Sequence, residues 1–213
     1  HAIPLPGTLW LPDAQLLATT LDQTRFAGAV NIVGLGSWAP TSLTVSNCWV
    51  TFGQSNVVLT VANDITVGLN GTLGIGTHGA GTNYTLNCGG ALALTNGGAL
   101  YVFSGSTGAV PNAYGALVNV TGNLIVGPAS WVYPVCQWTN GGAALFRAAN
   151  LIVEANGGFS ASAKGFRPAY GPSSLGNAGG AACPGGSHGG KGGYNGGANE
   201  FNSGQAEYDN PAQ

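Results

Sequence analysis

Charge is what this sequence lacks. Of its 213 residues only 6% are acidic or basic, against about a quarter in ordinary soluble domains. Five Lys and Arg residues cannot form the basic patch that a nucleic-acid partner requires, so nucleic-acid binding is excluded. The Glu, Lys, Ala and Leu enrichment of a coiled coil or helical bundle is missing. So is the glycine at every third position that collagen needs. No apolar run reaches the roughly 18 residues of a transmembrane helix, and hydrophobic residues at 44% exclude a disordered chain of low hydrophobicity. Methionine is absent, and the chain begins at His1 with no basic-then-apolar signal peptide. A mature chain processed after secretion is expected, with a fragment as the alternative.

The charge deficit is local. Asp13, Asp22 and Arg25 lie near the start, and eight charges follow from Arg147 onward. Between Phe26 and Phe146 the only acidic or basic residue, His78 aside, is Asp64. A surface so poor in mixed charge needs covering by neighbouring subunits, glycans, or Thr, Asn and Ser side chains.

What is present is a repeat. Leu59-Thr-Val…Ile65-Thr-Val67, Leu86-Asn-Cys…Leu92-Ala-Leu94, Val118-Asn-Val…Leu124-Ile-Val126 and Leu145-Phe-Arg…Leu151-Ile-Val153 align, each with two alternating segments six residues apart. A turn and a third strand follow, and Leu43-Thr-Val…Trp49-Val-Thr51 reads as an earlier copy. The last three intervals are 27, 32 and 27 residues. Self-similarity on this scale is the mark of a solenoid. One coil cannot bury its inward side chains alone, but stacked coils bury a continuous column of Leu, Ile and Val. The fold expected is all-β, a right-handed parallel β-helix, with a β-sandwich as the alternative. Asn70-Gly71, Gly97-Gly98 and Gly157-Gly158 are expected to supply positive φ at corners.

Residues 1–40 read as an N-terminal arm or cap, with a helix-compatible piece over Asp13–Gln23 that Asp13 would cap. Residues 41–162 are the coils. Residues 163–213 form a glycine-rich region packed on the solenoid or on a neighbouring subunit.

The stretch Ser162-Ala-Lys164-Gly165-Phe166-Arg-Pro168-Ala-Tyr170, followed by Gly185-Gly-Ser187-His188-Gly-Gly-Lys191-Gly-Gly-Tyr194, resembles a glycine-rich insertion of secreted and cell-surface parallel β-helix proteins. The resemblance covers about residues 145–213, and the earlier coils only in architecture. It implies an extracellular or cell-surface location and carries no biochemical role. In similar sequences further glycine-rich coils follow a stretch like Tyr208-Asp-Asn-Pro211, so the chain is read as cut short at Gln213 or as needing a neighbour to complete its last coil.

Candidate chemistry is sparse. Polysaccharide-degrading β-helices need clustered carboxylates, whereas Asp64 has no visible acid partner and Arg147 and Glu154, seven apart, read as a surface ion pair. His1 could chelate copper with a second histidine, but only His78 and His188 are available. Gly189-Gly190-Lys191-Gly192 lacks the Ser/Thr and helix of a phosphate loop. No catalytic residue, metal set or cofactor is expected, and the chain is read as a non-enzyme.

Cys48, Cys88, Cys136 and Cys183 are candidate disulfide formers, free buried thiols being the alternative. Asn70, Asn83 and Asn119 open glycosylation sequons, which could equally be chance in an Asn- and Thr-rich chain. Trp131, Tyr133 and Trp138 read as an interface patch before a sugar-stacking platform. With Trp10, Leu11, Ala29, Val30, Ile32 and Val33, which could add a strand to a neighbour's sheet edge, they form the candidate assembly surface. The function expected is an extracellular structural protein that self-assembles into a filament, sheath or surface layer, its partners being further copies of itself and possible glycans. The alternative is a carbohydrate-binding or adhesive module of a larger surface protein.

Overall fold

The computed structural model describes residues 7–77, 81, 83–107, 114–137, 142–162, 164 and 165. His1, His78, Trp138, Cys183, His188 and the segment 166–213 lie outside the described residues.

Among the described residues eighteen short strands form three sheets, and every pairing between them is parallel. Sheet A holds β1 (Gly7–Trp10), β3 (Ala29–Val33), β6 (Trp49–Phe52), β9 (Thr72–Ile75), β12 (Ala99–Phe103), β15 (Trp131–Val135) and β18 (Gly158–Phe159), in that spatial order. Sheet B holds β2 (Thr20–Asp22), β5 (Leu43–Ser46), β8 (Ile65–Gly68), β11 (Leu92–Leu94), β14 (Asn123–Val126) and β17 (Asn150–Val153). Sheet C holds β4 (Ser37–Trp38), β7 (Val58–Val61), β10 (Tyr84–Cys88), β13 (Tyr114–Val120) and β16 (Ala143–Arg147). From β4 onward the chain visits C, B and A in turn, as a β-solenoid does. A sandwich, built from antiparallel sheets, does not describe it. Among the described residues there is no helix.

Alternation places every second residue inside. In sheet B the inward columns are Leu43–Ile65–Leu92–Leu124–Leu151 and Leu21–Val45–Val67–Leu94–Val126–Val153. In sheet A one column runs Val30–Val50–Leu73–Leu100–Val132–Phe159. In sheet C Leu59, Leu86 and Val118 stack. The members in the middle of each column are fully buried, and truncating such a leucine to alanine costs about 2–5 kcal/mol.

Two details of the repeat differ from the sequence reading. Leu43–Ser46 and Trp49–Phe52 are sheet B and sheet A strands, so that segment is one side of the coil out of phase with Leu59–Val67. Val118 pairs with Phe146 and not Leu145, because the step into sheet B is five residues from Phe146 to Leu151, one fewer than from Val118 to Leu124.

The parallel sheets also begin before residue 41. β1 and β3 belong to sheet A, β2 to sheet B and β4 to sheet C. The helix expected over Asp13–Gln23 is absent. The Asp13 carboxylate accepts the Gln15 backbone N–H at 2.9 Å, closing a local turn that competes with helix. The Leu17 N–H to Ala14 bond completes that turn, and Thr20–Asp22 is already strand. Leu11 is buried at this end, with Ala14 and Leu17 packed against the core.

The three corners behave differently. From sheet C to B the connection is two to four residues, and from B to A it is two to four from β5 onward and six between β2 and β3. From A to C it grows from three residues after β3 to ten after β12. The inequality of coil lengths therefore resides mainly at one corner.

Candidate functional site

The surfaces that distinguish this molecule are its corners, the aromatic face of sheet A, and its two ends. At the B-to-A corner left-handed residues recur from coil to coil: Asn47, Leu69 with Asn70, Asn96 with Gly97, Ala129 and Asn156. Asparagine tolerates that region better than other non-glycine residues. The glycines expected to supply positive φ mostly do something else. Gly97 does have φ of 79°, but Gly71, Gly98 and Gly157 make room. A Cβ on Gly98 would lie 2.1 Å from the Val67 carbonyl oxygen of the preceding coil. The corner N–H groups tie coils together, Asn47 donating to Leu69 O at 3.1 Å and Asn70 to Asn96 O at 3.0 Å.

Asp64 occupies the C-to-B corner. Its carboxylate accepts the Ala91 N–H at 2.7 Å and its carbonyl accepts the Leu43 N–H at 3.1 Å. It thus staples the coils on either side. The other carboxylates of the described residues, Asp13, Asp22 and Glu154, stand on other coils. Arg147 ends β16 while Glu154 follows β17, and no ion pair joins them among the described residues, contrary to the expected surface pair. No cluster of three His, Cys, Asp or Glu residues able to hold a metal occurs among the described residues. No helix there is long and apolar enough to cross a membrane.

Three of the four candidate cysteines lie among the described residues. Cys48, Cys88 and Cys136 are free and sit at different places on the coil: a B-to-A corner, the end of β10, and just past β15. Cys48 Sγ donates to Leu21 O at 3.4 Å, and Cys88 Sγ approaches Asn63 O and Ala91 O at 3.3 Å. Burial pushes all three thiols up. Cys88 replaces valine in the column Val61–Cys88–Val120, the behaviour of a small apolar residue.

Of the sequon asparagines, Asn70 is exposed in its left-handed turn and Asn83 is exposed just before β10. Asn119 is half-buried in mid-strand, between Asn87 and Arg147 in sheet C.

Outward side chains of sheet A form an aromatic ladder. Trp49 stacks on Tyr101 with centroids 5.4 Å apart, and Tyr101 on Tyr133 at 4.4 Å, both at 23° between planes. Gly74 lies between Thr51 and Tyr101 in register, the Thr51 side chain occupies the space a Cβ there would take, and Trp49 and Tyr101 meet across the intervening strand. The Lys164 ammonium sits 5.7 Å from the Tyr133 centroid. A sugar stacks on the face of a ring. Tyr133 has one face against Tyr101 and carries a cation over its ring, so this ring is taken up by packing between coils. Trp131 leans over Gly158 of the next coil.

The ends are different. Leu151, Val153 and Phe159 are 56%, 47% and 39% exposed, whereas their column partners one coil back, Leu124, Val126 and Val132, are 2%, 0% and 0% exposed. The last described coil thus presents an apolar interior to the outside. At the opposite end Trp10 and Leu16 are 69% and 71% exposed, and β1 has β3 on one edge and no strand on the other among the described residues. β3 itself lies between β1 and β6. Ala29, Val30, Ile32 and Val33 therefore cannot add to a neighbour's edge as expected, and the free edge of sheet A at this end belongs, among the described residues, to β1, which carries Trp10. Leu11 is buried and belongs to the core.

No known protein family, curated protein or solved structure matches this chain.

Proposed function

We propose that this chain is an extracellular, non-enzymatic structural protein, a right-handed parallel β-helix that self-associates end to end. The observation that carries this reading is the open last coil, where Leu151, Val153 and Phe159 continue buried columns into exposed positions. Solenoid ends are association surfaces unless capped, and fully burying each such side chain is worth about 1.5–3 kcal/mol. The near-absence of charge between Phe26 and Phe146 removes the mixed surface charge that opposes association. The resemblance of the glycine-rich stretch to cell-surface β-helix proteins agrees with an exterior location. A head-to-tail contact of this kind is heterologous and propagates without closing.

Sedimentation velocity over a hundredfold concentration range, with negative-stain microscopy, tests the reading. Concentration-dependent linear oligomers are expected, and Leu151→Lys with Val153→Lys should abolish them while the protein remains folded by circular dichroism. A monomer at every concentration overturns the proposal.

A further inference from the structure

We infer that β1 of one copy pairs in parallel with β18 of the preceding copy, so that sheet A runs unbroken through the assembly. This pairing rests on the self-association proposed above and adds the partner surface and its register. Sheet A is the longest of the three sheets, and its terminal strands are β1 and β18. Both lie in the same columns. The inward column beginning Gly7–Val30 ends at Phe159, and the outward column beginning Thr8–Asn31 runs through Tyr101 and Tyr133. The ladder also extends past Phe159, since the Ser160 N–H donates to Val132 O at 2.9 Å. Continuing the columns by one strand sets Gly7 of the next copy beside Phe159, Thr8 beside Ser160 and Leu9 beside Ala161.

A further feature favours a second copy as the occupant. The exposed apolar side chains Leu9, Trp10 and Leu16 lie at the β1 end, and Leu151, Val153 and Phe159 lie at the β18 end.

Two single variants of the full chain, Thr8→Cys and Ser160→Cys, test the register. Neighbouring strands lie about 4.8 Å apart, within the Cα separation of roughly 4.4–6.8 Å that a disulfide spans. The variants are mixed, oxidised mildly and digested, and the linked peptides are identified by mass spectrometry, with sedimentation run in parallel. A link between Cys at 8 and Cys at 160 is expected, forming at least several-fold faster in the mixture than any link in either variant alone. Oligomers without that link overturn this pairing and leave self-association standing. Absence of both overturns both, and is the result expected if residues 166–213 of the same chain cover the open end.

Discussion

At the residue scale the fold is held by close approach between successive backbones. Gly98 and Gly36 separate this from a general effect of glycine. Gly98→Ala places a methyl against the Val67 carbonyl and should lower stability by about 1–3 kcal/mol, the usual cost of overpacking. Gly36 has nothing within 4 Å of its would-be Cβ and no left-handed φ, so Gly36→Ala should be neutral or stabilise by up to about 1 kcal/mol through the unfolded state. Urea titrations of the two variants check both values. The thiols give a second prediction. Burial raises Cys48 and Cys88 above the ordinary thiol value of about 8.5. A raised thiol contributes stability fully below the unfolded value and loses it as pH climbs through the folded one. Unfolding midpoints should therefore fall above roughly pH 8.5. Thiol labelling of the native protein at pH 8 should reach half-buried Cys136 before Cys48 or Cys88.

At the scale of elements, the aromatic ladder joins coils that are not neighbours in sequence. Tyr101 stacks on both Trp49 and Tyr133, each contact worth about 0.5–1.5 kcal/mol beyond burial. Tyr101→Ala should cost about 1–3 kcal/mol and shift the fluorescence of Trp49, whereas Tyr101→Phe should retain most of both. The ladder was not legible in the sequence, because its members lie far apart along the chain and meet only across the stacked strands of sheet A. What was legible were the columns: Leu-x-Val segments recur with a fixed six-residue step because the C-to-B corner is short. The same six-residue step from Leu43 to Trp49 misled, since the B-to-A corner is equally short and alternation does not say which sheet a strand joins. Residues 7–40 escaped the repeat because their strands are brief and the Asp13 turn resembles a helix start. The Asn-rich corners could be read as turns, but the division of labour, left-handed asparagine followed by space-making glycine, needed the neighbouring coil in view.

At the scale of the whole molecule, the solenoid is a stack in which each coil contacts chiefly those above and below, so stability accumulates coil by coil. The middle buries its columns and the described ends do not, so the proposed association would act at Trp10, Leu16, Leu151, Val153 and Phe159. The charges follow the same plan, as the described residues carry them almost wholly at the two ends. The unequal A-to-C corners have a consequence for how such a molecule can change. Coils are registered through their strands and through the two short corners, so the long corner is free to vary in content without disturbing any column. It is the molecule's tolerant seam, the place where lineages can lengthen, exchange or graft sequence. A six-residue Gly-Ser insert between Ser106 and Thr107 should leave the melting temperature within about 2 °C, consistent with the small cost of lengthening a loop. The same insert after Gly122, in a two-residue corner, should break the pairing of β13 and β14 with their neighbours and abolish cooperative melting. The solenoid thus offers one side on which foreign peptides could be displayed, at a spacing fixed by the rise of one coil to the next.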